Sequence, residues 1–179
     1  MIGAPDLAAR PVSVRRAETA AQFDAIRQLL AEFTAWDTAQ TEAAGLDPGE
    51  FLAFYRSEGD EPLPGPYASP RGCLLLATCG DAAAGCIAFK PLSKDACELK
   101  RMYVREQFRG RRIGAALIEA LLAIARDRGY KSMRLETTTF MAPAIALYAS
   151  HGFAIRTPYY EIPSNFGPVT VFMERDLEC

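Results

Sequence analysis

The sequence of 179 residues contains one histidine, and none of its five cysteines forms a C-x-x-C pair. Zinc sites are built mainly from histidine and cysteine, so no metal is expected. The odd number of cysteines and their strand-like surroundings favour buried, reduced thiols over a metal site or disulfides. No apolar run approaches the roughly 20 residues of a membrane-spanning helix, and the net charge of −2 gives no sign of a nucleic-acid partner.

The N-terminal sequence has no hydrophobic stretch of the kind that a secretory signal needs. Together with the cysteines, this predicts a cytoplasmic protein. A chain of this length is expected to fold as a single domain, here residues 1–179, with residues 1–11 as a flexible extension.

Helices are indicated by apolar side chains at helical spacing. This pattern predicts a first helix over residues 20–35, whereas the polar stretch 36–46 is expected to be a loop. Residues 47–50, with the sequence Asp-Pro-Gly-Glu, are typical of a helix start, with aspartate at the N-cap. Residues 57–72 contain four prolines and three glycines, which predicts a long irregular connection. The strongest helix pattern begins at Ile113 and is expected to end near Gly129.

Strands are predicted mainly in the second half of the chain. Residues 73–79 and 86–92 are apolar runs around a glycine turn, which favours a hairpin. The side chains of residues 97–104 alternate between the two faces of the predicted strand, and this alternation places Glu98 on the same face as Met102 and Val104. Further strands are predicted at 12–16, 132–138, 153–156 and 169–175.

The order of these elements predicts the fold class. A helix between the strands at 97–104 and 132–138 implies that these two strands are parallel. The other connections are typical of antiparallel strands. The expected fold is α/β (α+β), with a mixed, mostly antiparallel central sheet and helices on both faces.

The turn at residues 109–114 is the most informative segment, because it packs three arginines and two glycines between a strand and a helix. The first turn of a helix offers free N–H groups and a partial positive charge, which bind phosphate well. A pyrophosphate site is therefore predicted here. The alternative is a solvated basic surface.

Residues 97–153 resemble the GNAT superfamily of acyl-CoA-dependent N-acetyltransferases. The resemblance rests on three segments in order: LKRMYV at 99–104, FRGRRIGAAL at 108–117 and ALYASHGF at 146–153. The phosphate-binding signature of the family, [Arg/Gln]-x-x-Gly-x-[Gly/Ala], falls on Arg109, Arg112 and Gly114. Arg112 replaces the middle glycine of the signature, but its backbone N–H is still available. The resemblance implies that the parallel strand pair splays apart to form a cleft.

The resemblance also implies acetyl-CoA as co-substrate and no metal. The pantetheine arm would hydrogen-bond to the strand before the turn, and the pyrophosphate would lie on the amides of the helix start. The implied cofactor-binding residues are Met102, Tyr103, Val104, Arg109, Gly110, Arg111, Arg112, Ile113, Gly114 and Ala115.

Two catalytic residues are implied by the resemblance. Tyr148 would protonate the leaving thiolate, since a phenol with a pKa of about 10 stays protonated where a thiol near 8.5 ionises. Glu98 would act as the base towards the amine, directly or through water. A core tyrosine and a glutamate paired with a neighbouring lysine or arginine are the structural alternatives. His151 is interpreted as a helix cap rather than a catalytic group.

The acceptor site is less defined by the sequence. Tyr159, Tyr160 and Glu161 lie where the family often lines its acceptor pocket, although core or loop packing explains them equally well. Residues 37–61 carry a net charge of −6, against +7 for residues 100–134. This acidic segment would attract a cationic amine, or it simply solvates two surface helices.

The resemblance thus predicts an acyltransferase that moves an acetyl group from acetyl-CoA to a primary amine by direct attack in a ternary complex. The acceptor would be a small molecule or a peptide, and a homodimer is compatible with the family. The alternatives are a CoA-binding regulatory domain or a peptide-binding domain without turnover. A nucleotide-binding module is a further alternative, against which the lack of a Gly-Lys-Ser/Thr sequence argues.

Overall fold

A computed structural model describes residues 10–56 and 62–178. The strands are β1 Val12–Arg16, β2 Cys73–Cys79, β3 Ala82–Pro91, β4 Ala96–Val104, β5 Ser132–Thr138, β6 Ala154–Arg156 and β7 Thr170–Asp176. The helices are α1 Ala20–Ala43, α2 Pro48–Arg56, α3 Ile113–Asp127 and α4 Ala142–Ser150. Most of the predicted N-terminal extension and part of the predicted connection at 57–72 lie outside the described residues, and a single domain over 1–179 stays a prediction.

The seven strands form one sheet in the order β1-β2-β3-β4-β5-β7-β6. Only β4 and β5 are parallel, and they pair from Ala96 with Ser132 to Glu98 with Arg134. Beyond that point the ladder ends, although both strands continue. The predicted mixed sheet with one splayed parallel pair is confirmed.

The two faces of the sheet are covered by different helices. On one face Leu117 and Leu121 of α3 pack with Ile87 and Phe89 of β3. On the other face α1 contributes Ile26 and Leu29 to a smaller apolar cluster. These side chains are essentially fully buried, and each contributes about 1.5 to 3 kcal/mol through removal from water.

Helix α1 continues for eight residues beyond the predicted end. It starts at a capping box formed by Thr19 and Gln22, and it includes residues 36–43 of the stretch 36–46 that was expected to be a loop. That expectation is wrong because the polar residues Asp37 and Thr41 are buried on the inner side of the helix. The predicted start of α2 is confirmed, since the Asp47 carboxylate accepts a hydrogen bond from the N–H of Glu50 at 2.8 Å.

A bulge in β4 changes which side chains share a face. The register with β3 shifts between Cys86 and Ala88, and Arg101 has a φ of 59°. Before the bulge, Lys100 lies opposite Ala88, which belongs to the cluster on the α1 face. After it, Met102 and Val104 pack on the α3 face. The prediction that Glu98 shares a face with Met102 and Val104 is therefore wrong, because the extra residue reverses the alternation.

The cysteines at positions 73, 79, 86 and 97 are buried, as predicted, and Cys179 lies outside the described residues. Within the described part of the chain, no helix is long and apolar enough to cross a membrane. The same residues contain no cluster of histidine, cysteine and carboxylate side chains that could hold a metal ion.

Candidate active site

A groove of about 670 Å³ lies where β4 ends, between the turn before α3 and the start of α4. It contains nine of the ten residues predicted to bind the cofactor: Met102, Tyr103, Val104, Arg109, Gly110, Arg112, Ile113, Gly114 and Ala115. Trp36 and Phe140 complete its aromatic wall. The strand, the turn and the helix start therefore come together as the sequence predicted.

The backbone of the turn explains how an arginine can replace the glycine of the phosphate signature. Arg112 is the N-cap of α3 and has φ 59° and ψ 14°, the left-handed conformation that glycine adopts readily. Gly110 also has a positive φ, of 78°. The first N–H groups of α3 have no acceptor within the helix and are available to a phosphate.

Gly114 allows close packing beside this helix start. A Cβ at this position would lie 2.9 Å from Leu147 Cδ2 and 3.3 Å from Met102 Cε. The glycine thus lets α4 and β4 approach the first turn of α3, which sets the width of the groove.

Arg111 is the one predicted cofactor residue that does not line the groove. Its guanidinium donates hydrogen bonds to the Cys79 Sγ at 2.6 Å and to the Arg10 carbonyl oxygen at 2.9 Å. The side chain therefore fastens the turn to the end of β2, and only its backbone is placed in the turn.

A second, inner cavity of about 150 Å³ lies deeper between the splayed strands. Its polar wall includes Asp37 of α1, Lys100 and Arg101 of β4, Glu136, Thr137 and Thr138 of β5, and Tyr148 of α4. Phe33, Met102 and Met141 line both this inner cavity and the groove. The two spaces therefore meet at these three side chains.

Tyr148 faces the inner cavity from helix α4. The residue is 5% exposed, and its ring packs edge-on against Phe153 with 5.9 Å between the ring centres. Burial raises the pKa of the phenol above its usual value, because the phenolate would lose its hydration. The Tyr148 phenol is therefore neutral at physiological pH and able to donate a proton.

Glu98 lies outside the inner cavity and the groove, although it is only 3% exposed. Its carboxylate accepts a hydrogen bond from the Tyr159 hydroxyl at 2.7 Å. Lys90 and Lys100 form ion pairs with it at 3.4 and 3.5 Å. Lys100 also contacts Glu136 at 2.8 Å, and these last two residues do line the inner cavity. Glu98 is therefore linked to the cavity wall by its ion pair with Lys100.

Of the predicted acceptor residues, Tyr159 and Tyr160 are packed together around Phe172, with ring centres 5.0 Å from it. Arg134 and Arg156 lie over the Tyr159 ring at 5.5 and 5.4 Å. Burial, and then the neighbouring Glu98, raise the pKa of the Tyr159 hydroxyl. Neither tyrosine lines the inner cavity.

Glu161, the third predicted acceptor residue, is exposed. His151 ends α4, where its Nδ1 lies 2.8 Å from the Leu147 carbonyl oxygen and its Nε2 lies 3.7 Å from Glu119. This is the capping position that the sequence predicted for it.

Sequence reasoning missed the four charged residues of the inner cavity: Asp37, Lys100, Arg101 and Glu136. Asp37 was missed because it lies in a polar stretch that was predicted to be a loop. Glu136 follows an ordinary strand pattern, and only the splaying of β4 and β5 turns this part of β5 into a cavity wall. Arg101 was missed because strict alternation along residues 97–104 places its side chain on the wrong face of the sheet. The bulge that changes this face was not predicted.

The comparisons with known proteins agree with this geometry. The model of the "Acetyltransferase (GNAT) family" matches residues 30–153. The chain therefore belongs to the GNAT family, and it is an acetyltransferase.

Relatives share part of the chain. An uncharacterised N-acetyltransferase of Schizosaccharomyces pombe is 36% identical over 113 residues, which are 62% of this chain and 68% of that protein. An IAA acetyltransferase of Azospirillum brasilense is 41% identical over 80 residues, 45% of this chain and 51% of that protein. N-acetyltransferase 8F1 of Rattus norvegicus is 34% identical over 92 residues, 49% of this chain and 42% of that protein. The chain thus spans about half or less of the last two relatives.

Solved structures share the fold. The PaiA N-acetyltransferase of Thermoplasma acidophilum, solved in complex with coenzyme A, superposes with a TM-score of 0.71 at 18% identity, covering 93% of this chain and 99% of that one. A GNAT family acetyltransferase of Elizabethkingia anophelis with acetyl-CoA bound has a TM-score of 0.58 at 19% identity, covering 92% and 97% of the two chains.

Proposed function

We propose that this chain transfers an acetyl group from acetyl-CoA to a primary amine by direct attack within a ternary complex. The observation that carries the proposal is the meeting of the groove, which has a phosphate cradle, with the inner cavity, which contains a buried tyrosine and carboxylates. Cytoplasmic location and a homodimeric state stay predictions.

The groove suits coenzyme A in two respects. The helix start and the exposed Arg109 and Arg112 offer N–H groups and positive charge for a pyrophosphate. The part of β4 from Met102 to Val104 extends beyond the ladder with β5, so its backbone can pair with the amides of a pantetheine arm. Acetyl-CoA would supply the thioester whose acetyl group is transferred.

The proton transfers can be assigned to side chains of the inner cavity. The amine must lose a proton to become a nucleophile, and the carboxylate of Asp37 or Glu136 in the cavity wall would accept it, directly or through water. The Tyr148 hydroxyl would donate its proton to the leaving thiolate. Glu98 would act indirectly, as a positioning residue that holds Lys100 beside Glu136.

A panel of amines incubated with acetyl-CoA tests the proposal, with the acetylated product identified by mass spectrometry. We expect turnover that requires both the amine and acetyl-CoA. Tight binding of coenzyme A without turnover of any amine would instead favour a regulatory domain. Trp36, the only tryptophan, lines the groove, so its fluorescence can report coenzyme A binding independently of turnover.

The left-handed backbone at Arg112 leads to a prediction about two substitutions there. Arg112→Gly should be more stable than Arg112→Ala by about 1 kcal/mol, because alanine keeps the cost of the left-handed conformation. Both variants lose an exposed charge, so the KM for acetyl-CoA should rise by no more than about fivefold. Urea unfolding and steady-state kinetics measure the two effects. A glycine variant less stable than the alanine variant would contradict the prediction.

The raised pKa of Tyr148 leads to a prediction about pH. Burial disfavours the phenolate, so the donor stays protonated through pH 10 and beyond. The value of kcat/KM should therefore rise with pH as the amine loses its proton, and Tyr148 should cause no decline below pH 10. A pH–rate profile from pH 6 to 10 measures this. A decline near pH 8 to 9 that disappears in Tyr148→Phe would show that the phenol ionises early.

A further inference from the structure

Arg101 stands out among the residues of the inner cavity because of its backbone. It occupies the bulge of β4 with a φ of 59°, a conformation that is uncommon for a residue with a side chain. Such conformations persist where the surrounding structure holds them, and they are concentrated at functional sites. At this position the bulge brings the Arg101 side chain to the wall of the inner cavity.

The guanidinium of Arg101 is oriented by Tyr67. Its Nε donates a hydrogen bond to the Tyr67 hydroxyl at 3.1 Å, and its Cζ lies 5.9 Å from the centre of the Tyr67 ring. Tyr67 is buried, so this contact fixes the plane of the guanidinium. The hydrogen bond from Nε leaves the two terminal nitrogens to other partners.

Arg101 differs from its charged neighbours in having no carboxylate partner among residues 10–56 and 62–178. Lys100 is paired with Glu136 at 2.8 Å, and Arg105 is paired with Glu32 at 2.7 Å. The single hydrogen-bonding side chain on the Arg101 guanidinium in that part of the chain is the Tyr67 hydroxyl, which is neutral. An oriented guanidinium without a counter-charge, in the wall of a cavity, is a binding site for a planar anion.

The charges around the inner cavity are arranged for a molecule that bears both signs. The carboxylates of Asp37 and of Glu136, which is already paired with Lys100, would attract an ammonium group, while Arg101 would attract an anionic group. Arg101 does not line the groove, whose phosphate cradle has its own arginines, Arg109 and Arg112. The anion that Arg101 would hold is therefore on the acceptor and not on coenzyme A.

We propose that the acceptor is a small amine that also carries a carboxylate, and that Arg101 binds this carboxylate. The proposal rests on the proposed acetyl transfer and specifies the class of its substrate. The volume of the inner cavity, about 150 Å³, favours a compact amino acid over a polyamine or a large drug. The apolar residues Leu30, Phe33 and Phe51 in its wall favour an apolar side chain on that amino acid.

The test compares amino acids with their own amides, which keep the amine and the side chain but lose the negative charge. Leucine, methionine and phenylalanine, each with its amide, form a suitable set. In the wild-type protein we expect kcat/KM to be about 10 to 100 times higher for the amino acid than for its amide. This ratio corresponds to the free energy of one charge-assisted hydrogen bond. An amide has the less basic amine, so this comparison understates any preference for the carboxylate.

The variant Arg101→Asn removes the charge while asparagine tolerates the left-handed backbone. We expect it to lose the preference for the amino acid, so that kcat/KM falls about 10 to 100 times more for the amino acid than for its amide. Arg126→Asn, on the exposed side of α3, is the matched control and should keep the wild-type preference. Circular dichroism checks the fold, and the wild-type comparison decides alone if Arg101→Asn does not fold.

The outcomes separate this inference from the proposed function. Acetylation of amines with no preference for the carboxylate would overturn the inference and leave the function standing. The inference would also fail if Arg101→Asn weakened coenzyme A binding but left the preference intact. If no amine is acetylated, the proposed function fails, and calorimetric titration of amino acids into the coenzyme A-loaded protein decides the inference. Binding that requires Arg101 would then support it, and absence of such binding would overturn it.

Discussion

The variant Tyr148→Phe is expected to lower kcat by about 10²- to 10⁴-fold while the fold and the affinity for coenzyme A stay as in the wild type. The substitution removes only the hydroxyl, so the edge-on packing against Phe153 is kept. Tyr148 does not line the groove, which is why coenzyme A binding should not change. Water can replace a missing proton donor only in part, and this sets the size of the effect.

A matched control comes from Tyr130, another buried tyrosine whose hydroxyl donates to the Arg71 carbonyl oxygen at 3.0 Å. Tyr130→Phe should cost about 1 kcal/mol of stability through the lost hydrogen bond and leave kcat unchanged. Steady-state kinetics with acetyl-CoA and an accepted amine compare the two variants. A kcat within twofold of the wild type for Tyr148→Phe would remove this tyrosine from its proposed role.

Strand β4 shows which parts of the site can be predicted from the sequence. Its existence and its position before the phosphate turn follow from the alternation of residues 97–104 and from the turn chemistry after it. The face of the sheet on which each side chain lies does not follow from the sequence, because one extra residue at Arg101 reverses the alternation from there on. A bulge leaves little trace in a sequence when the residue in the left-handed conformation is not glycine.

Helix α1 shows a second reason why the inner cavity was not predicted. Residues 36–43 are polar enough to be taken for a loop, and yet they continue the helix. The same polar residues include Asp37 in the cavity wall and Thr41, whose hydroxyl donates to the Asp37 carbonyl oxygen at 2.8 Å. Hydrophobic periodicity identifies a helix that packs on a core, so it misses the part of a helix that faces a polar site.

The groove was predicted far better than the inner cavity, and the two differ in the kind of interaction they use. The groove depends on backbone N–H groups and on a helix start, which follow from local sequence at the turn before α3. The inner cavity depends on side chains from α1, β4, β5 and α4, which are brought together only by the splaying of the sheet. Local sequence contains no direct sign of that arrangement.

The variant Glu98→Gln is expected to lower the free energy of unfolding by about 3 to 5 kcal/mol, as is typical when one partner of a buried ion pair is removed. Glu98 is 3% exposed and balances Lys90 and Lys100, which are 13% and 18% exposed. Without the carboxylate, a negative charge that balances Lys90 and Lys100 is lost in a place largely shielded from water, although Lys100 keeps its ion pair with Glu136. The melting temperature should fall by roughly 6 to 20 °C.

The control for this loss is Asp24→Asn, which breaks an exposed ion pair with Arg27 on α1. Because solvent screens exposed pairs, this variant should change stability by less than about 1 kcal/mol. Urea unfolding of the two variants measures both values. A loss below 1 kcal/mol for Glu98→Gln would mean that Lys90 and Lys100 find other partners and that the network does not depend on this carboxylate.

The kinetics of Glu98→Gln also distinguish a positioning residue from a base. If Glu98 only holds Lys100 beside Glu136, the variant should lower kcat at every pH by a similar factor and keep the shape of the pH–rate profile. Lys100→Met, which keeps Glu98, should then lower kcat as well. If Glu98 itself accepts the proton of the amine, Glu98→Gln should lower kcat by a much larger factor than Lys100→Met, which keeps the carboxylate. Glu98 does not line the inner cavity, and this favours the first result, since a base must reach the proton it removes.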